Sequence, residues 1–63
     1  PLSEREQEVI ALLTQGLRDR DIAEKLYISE RTVKFHTKNM LTKLGVKTRT
    51  QAVFEATKKG WVK

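Results

Sequence analysis

Cysteine is absent from these 63 residues, which excludes a disulfide framework and any thiolate metal site and fits a reducing cytoplasm. Histidine occurs once, at His36, and a lone histidine without cysteines makes a poor metal ligand set. No apolar run approaches the roughly 18 residues of a membrane span, and no basic-then-apolar leader is present. Neither a glycine-rich phosphate loop nor a clustered acid–histidine set can be found, and so short a chain offers little pocket. An enzyme is therefore not expected, and neither is a cofactor, a metal or a membrane partner. The length allows one domain, 1–63, burying only ~60% of its unfolded surface. Its first residue is Pro1 rather than Met, which suggests a piece of a longer protein.

What is present is positive charge, unevenly spread. Thirteen basic residues against eight acids give a net +5. Residues 1–29 hold four basic groups and six acids, a net of −2, whereas residues 30–63 hold nine and two, a net of +7. Such asymmetry suits a face that meets a polyanion, although lysine-rich surfaces also serve solubility alone.

Glycine is scarce, and its three positions punctuate the chain at Gly16, Gly45 and Gly60. Each follows an apolar segment of helical period, where a left-handed residue ends a helix. Start signals lie between them. Ser3-Glu4-Arg5-Glu6 reads as a capping box and Thr48-Arg49-Thr50-Gln51 as a second one, while Ser29 precedes a long periodic segment. The second helix has the weakest start: Arg18 is a poor cap, leaving Asp19 as cap or Asp21 as helper. Four helices are predicted, at about 4–15, 19–26, 30–44 and 49–59, in a compact all-α domain. Their inward faces carry Val9, Ile10, Leu12 and Leu13; Ile22, Ala23 and Leu26; Val33, Thr37, Met40 and Leu44; and Ala52, Val53 and Ala56. Leu17, Ile28, Val46 and Trp61 are expected to fill gaps from the connections.

Only Tyr27, Ile28 and Ser29 separate the second and third helices. A link this short suits a steep crossing, and the small Ala23 permits close approach, which is the helix-turn-helix pattern. On the far side of the third helix from its buried seam lie Arg31, Lys34, Phe35, Lys38 and Thr42. That stripe carries three cations and no acid, whereas a merely solvated helix more often interleaves glutamates. Arg31, Lys34 and Lys38 can reach guanine O6 and N7 in a major groove, and Phe35 can press on a thymine methyl. Phosphate contacts are expected from Thr32 in the first turn and from Arg20, His36, Lys47, Thr48 and Arg49 around the stripe. For His36 the alternative is packing between helices; for the others it is capping and surface charge.

The fourth helix shows a second stripe outside its core face, Thr50, Phe54 and Thr57 at i, i+4 and i+7. An apolar Phe54 framed by threonines suits a small self-complementary contact about a two-fold axis. Packing of Phe54 on Trp61 within one subunit is the alternative.

Leu2-Ser3-x-Arg5-Glu6-x-Glu8-Val9, Gly16-Leu17, Asp21-Ile22-Ala23 with Leu26, Ser29-x-x-Thr32-Val33-Lys34-x-His36, Lys43-Leu44-Gly45-Val46, Arg49 and Gln51-Ala52-Val53 together resemble the LuxR/FixJ-type (NarL-like) helix-turn-helix domain. The likeness spans essentially the whole chain. It implies a four-helix unit, usually the C-terminal output half of a two-domain bacterial response regulator or related transcription factor. It further implies base contacts at Arg31, Lys34, Phe35 and Lys38, backbone contacts at Thr32 and Arg49 among others, and dimerisation through the fourth helix. Arg18 departs from the family pattern, which commonly has Ser or Thr there. The expected function is sequence-specific binding of double-stranded DNA as a homodimer, in the cytoplasm, under an upstream receiver or sensor domain. Two rivals remain: a helical protein-interaction module anchored by Phe35, Phe54 and Trp61, and an RNA binder, disfavoured because A-form major grooves exclude a helix.

Overall fold

In the computed structural model, which describes residues 2–60, the helices start where local chemistry satisfies their free amides. The four are α1 (Glu4–Thr14), α2 (Asp19–Leu26), α3 (Glu30–Leu44) and α4 (Arg49–Lys58), with no strand among the described residues. At α1 the capping box is complete: Ser3 Oγ accepts from the Glu6 amide at 3.2 Å and Glu6 Oε1 accepts from the Ser3 amide at 2.9 Å. Ser29 Oγ accepts from the Thr32 amide at 3.0 Å and caps α3. Helices α1 and α4 each end one residue before their expected limits, because Gln15 and Lys59 are the caps rather than the last helical residues.

Two starts differ from the sequence reading. The Thr48 hydroxyl accepts from the Gln51 amide at 3.1 Å, but Gln51 Oε1 reaches past Thr48 to the Lys47 amide at 2.9 Å. The reciprocal box is therefore shifted by one residue, and it closes the loop before α4 as well as the helix. At α2 the N-cap is Arg18 itself, with no hydrogen bond from its side chain. Of the two acids considered there, Asp21 does the work, accepting from the Arg18 amide at 3.2 Å. Asp19, the first helical residue, is committed elsewhere.

Apolar periodicity translates directly into the core. Val9, Ile10, Ile22, Val33 and Met40 are fully buried, each contributing about 1.5–3 kcal/mol of apolar burial. Leu2, Leu13, Ala23, Ala52 and Ala56 complete the buried cluster, and Leu12, Leu17, Leu26, Ile28, Leu44, Val46 and Val53 pack half-buried at its edge. The expected role of Trp61 lies outside the described residues. Helix α3 is the hub. It packs against α1, α2 and α4, whereas α2 and α4 do not pack on each other. Its buried seam is Val33, Thr37 and Met40, and the Thr37 hydroxyl is satisfied by donating to the Val33 carbonyl at 2.9 Å. A helix held along one seam from three sides leaves its opposite side uncovered.

The corner between α2 and α3 is made without glycine. Tyr27 takes the left-handed conformation, φ 58° and ψ 43°, and the Ile28 amide donates to the Ala23 carbonyl at 3.0 Å to close the end of α2. At the end of α3, Gly45 fills the corresponding position at φ 70° without a Cβ penalty.

Candidate nucleic-acid interface

Opposite the Val33, Thr37 and Met40 seam, helix α3 turns Arg31, Lys34, Phe35, Lys38 and Thr42 to solvent, all exposed. Phe35 keeps 60% of its surface accessible, so its ring is not part of the core. Its edge meets the half-buried His36 ring in a T-shaped contact, centroids 5.6 Å apart. His36 thus braces the aromatic that the stripe displays. Among the described residues, the ion pairs are Arg5–Glu8, Arg18–Asp21, Lys43–Glu6 and Arg49–Asp19. None of them engages Arg31, Lys34 or Lys38. Three exposed cations with no ion-pair partner among the described residues make this side of α3 attractive to an anion.

The residues expected at the flanks fall into two groups. Arg20 is exposed and lines an open depression of about 670 Å³ together with Arg18, Asp19, Glu30, Lys34 and Arg49. That depression sits where the first turns of α2, α3 and α4 converge, so it extends the basic surface beyond the α3 stripe. Lys47 and Thr48 are exposed on the loop before α4. Thr32 is half-buried, and its backbone amide is taken by Ser29 Oγ, which also lies 2.9 Å from Thr32 Oγ1. The first-turn amide of Thr32 is thus already used within the chain, leaving the hydroxyl pair as the polar group presented there.

Arg49 is the residue whose surroundings the sequence could not show. Its Nη2 donates to Asp19 Oδ2 at 2.7 Å, bridging the first residues of α4 and α2 across thirty positions. The Asp19 side chain is only 14% accessible while that of Arg49 is 42% accessible. Nothing in local spacing links the two; only the fold brings them together. A second unforeseen tie joins Lys43 to Glu6 on the side of α1.

On α4, Thr50, Phe54 and Thr57 are all exposed, with Phe54 at 64% accessibility. Phe54 borders a shallow depression at the α3–α4 loop, shared with Val46, Lys47 and Gln51. The expected alternative, Phe54 packed on Trp61, involves a residue outside those described. No group of three or more acids or histidines able to hold a metal occurs among the described residues, and none of their helices is long and apolar enough to cross a membrane.

Four helices with a basic, uncovered third helix after a tight corner define a helix-turn-helix domain. The model of the luxR family of bacterial regulatory proteins matches residues 1–56, and the chain belongs to that family. It is 56% identical over 62 residues to the transcriptional regulatory protein DegU of Brevibacillus brevis, covering 98% of this chain and 26% of that protein. The spore germination protein GerE of Bacillus subtilis (strain 168) is 49% identical over 59 residues, covering 94% of this chain and 80% of GerE. Among solved structures, the response regulator ChrA of a heme-sensing two-component system superposes with a TM-score of 0.92 at 46% identity, over 97% of this chain and 30% of ChrA. The transcription factor GerE superposes equally well, TM-score 0.92 at 40% identity, over 98% of this chain and 92% of GerE. The chain thus spans about a quarter of DegU and most of GerE. Transcription regulators of the luxR family bind DNA, and this domain is of that kind.

Proposed function

We propose that this domain reads double-stranded DNA by sequence, placing α3 in the major groove and acting as a homodimer on paired half-sites to regulate transcription in the bacterial cytoplasm. The observation that carries the reading is the stripe of Arg31, Lys34, Phe35 and Lys38, exposed, acid-free and opposite the buried seam of α3. Lysine and arginine there address guanine edges, while Phe35 offers an apolar surface to a thymine methyl. Arg20, Thr32, His36, Lys47, Thr48 and Arg49 surround the stripe as phosphate contacts, which set register without reading bases.

Self-association is assigned to α4 through Thr50, Phe54 and Thr57. Two recognition helices related by a two-fold axis there would address half-sites about one duplex turn apart, ~34 Å. An upstream receiver or sensor domain would supply the signal, in keeping with the larger size of DegU and ChrA.

Selection of bound duplexes from a random pool, at two salt concentrations, tests this reading. Enrichment of a paired motif whose affinity falls steeply with salt is expected. Enrichment of no motif at either concentration would sink it.

A further inference from the structure

The Asp19–Arg49 bridge places a half-buried acid inside the basic recess where the first turns of α2, α3 and α4 meet. Asp19 shares the depression at the head of α3 with the cations Arg18, Arg20, Lys34 and Arg49 and with a second acid, the exposed Glu30. Both carboxylate oxygens of Asp19 lie 2.7 Å from Arg49 Nη2, which donates its hydrogen bond to Oδ2. The backbones of α2 and α4 do not approach each other closely, and this bond spans the gap between them. The guanidinium has five N–H donors, and the part of Arg49 left accessible keeps the others available to a further acceptor.

Resting on the DNA-reading function proposed above, we infer that Asp19 is a positioning residue that sharpens discrimination between specific and non-specific duplexes. It does so in two ways. Pinning Arg49 through one nitrogen holds its remaining donors at the junction of α2, α3 and α4, so less side-chain freedom is lost when a phosphate docks. The carboxylate also subtracts one charge from the recess, which weakens the sequence-independent attraction that any duplex exerts. Correctly registered DNA gains from the pinned fork, whereas misregistered DNA meets the acid without that gain.

Asp19→Asn and Asp19→Ala separate the two effects, since asparagine keeps an acceptor of the same shape and alanine keeps neither charge nor acceptor. Affinities of the chain for its selected duplex and for a scrambled one are measured across a salt series, in the wild-type and Arg49→Ala backgrounds. Both Asp19 variants are expected to tighten scrambled-duplex binding and steepen its salt dependence by about one phosphate equivalent. Asp19→Ala should in addition lower the specific-to-scrambled ratio about fivefold below that of Asp19→Asn. With Arg49→Ala present, the two variants should share one ratio.

Equal ratios for Asp19→Asn and Asp19→Ala in the wild-type background would overturn the pinning, and unchanged scrambled-duplex binding would overturn the charge effect. NMR of the DNA-free chain reads the pin directly. The Arg49 Nη–H signals should be distinct and slow to exchange in wild type and should merge with those of the exposed arginines in Asp19→Ala; signals already merged in wild type refute the inference. Should the wild type discriminate no duplex at all, the underlying DNA-reading proposal fails and this inference with it.

Discussion

Lys43 Nζ donates to Glu6 Oε1 at 2.8 Å, tying the last turn of α3 to the first turn of α1 across 37 positions. The same oxygen accepts from the Ser3 amide at 2.9 Å, so one atom both caps a helix and joins two helices. The Glu6 side chain is 5% accessible, and that of Lys43 is 46% accessible. Burial of the carboxylate is tolerable because its charge is hydrogen-bonded from two directions.

This arrangement makes stability depend on pH. Burial pushes the Glu6 carboxyl up, but hydrogen bonding and charge from Lys43, with the Ser3 amide and hydroxyl, outweigh it and hold the group below its ordinary value. A carboxyl that ionises more readily when folded contributes fully above its unfolded value of about 4.3 and loses that contribution as pH falls through the folded value. Glu6→Gln should therefore cost about 1–2 kcal/mol at neutral pH, and the gap to wild type should close towards pH 3. Urea midpoints at the two pH values check this; an equal gap at both would assign the loss to packing.

On the proposed interface, Lys34→Ala or Lys38→Ala should each cost ~1–3 kcal/mol on the selected duplex and relax preference at one base position. Binding titrations against single-base variants distinguish base reading from general attraction. Equal weakening on every sequence would remove the residue from the reading set.

For Phe35 the readout is chemical. Replacing one thymine of each half-site by uracil deletes a methyl group and nothing else, so affinity should fall for wild type at the contacted position. Phe35→Ala should be indifferent to the same replacement. Were wild type indifferent at every thymine, the apolar contact proposed for this ring would be wrong.

Tyr27 is 94% accessible yet holds a positive φ, so its side chain gains little packing in return for the left-handed backbone. Asparagine tolerates that conformation better without glycine's loss of chain entropy. Tyr27→Asn should raise stability by about 0.5–1 kcal/mol. Thermal unfolding gives the answer, and a lowered midpoint would mean the ring does more than protrude.

Phe54→Ser should leave the monomer's melting nearly unchanged, since the ring is 64% accessible, while impairing joint occupancy of two half-sites. Gel-shift stoichiometry on one-site and two-site duplexes separates the cases. Normal two-site occupancy by the variant would remove Phe54 from the self-association surface.

Legibility followed the range of the interactions. Hydroxyls at Ser3 and Ser29, glycines at 16 and 45 and the 3.6-residue recurrence of apolar side chains act within one or two turns, so the helices and the exposed stripe of α3 could be read from order alone. The corner at Tyr27 was located by its shortness, but its backbone conformation was not, because no glycine marks it. The offset cap at Gln51 was misjudged for a related reason: a flexible amide chooses between neighbouring donors, and spacing does not rank them.

Residue order thus determined four amphipathic helices and which side of the third is basic, since both follow from helical period and side-chain chemistry. Tertiary structure alone decided that Glu6 meets Lys43, that Asp19 meets Arg49, and that the first turns of α2, α3 and α4 open onto one recess. Those pairings join residues thirty or more positions apart, and only the packing of α1 and α3 against each other and against α2 and α4 brings them within hydrogen-bonding distance.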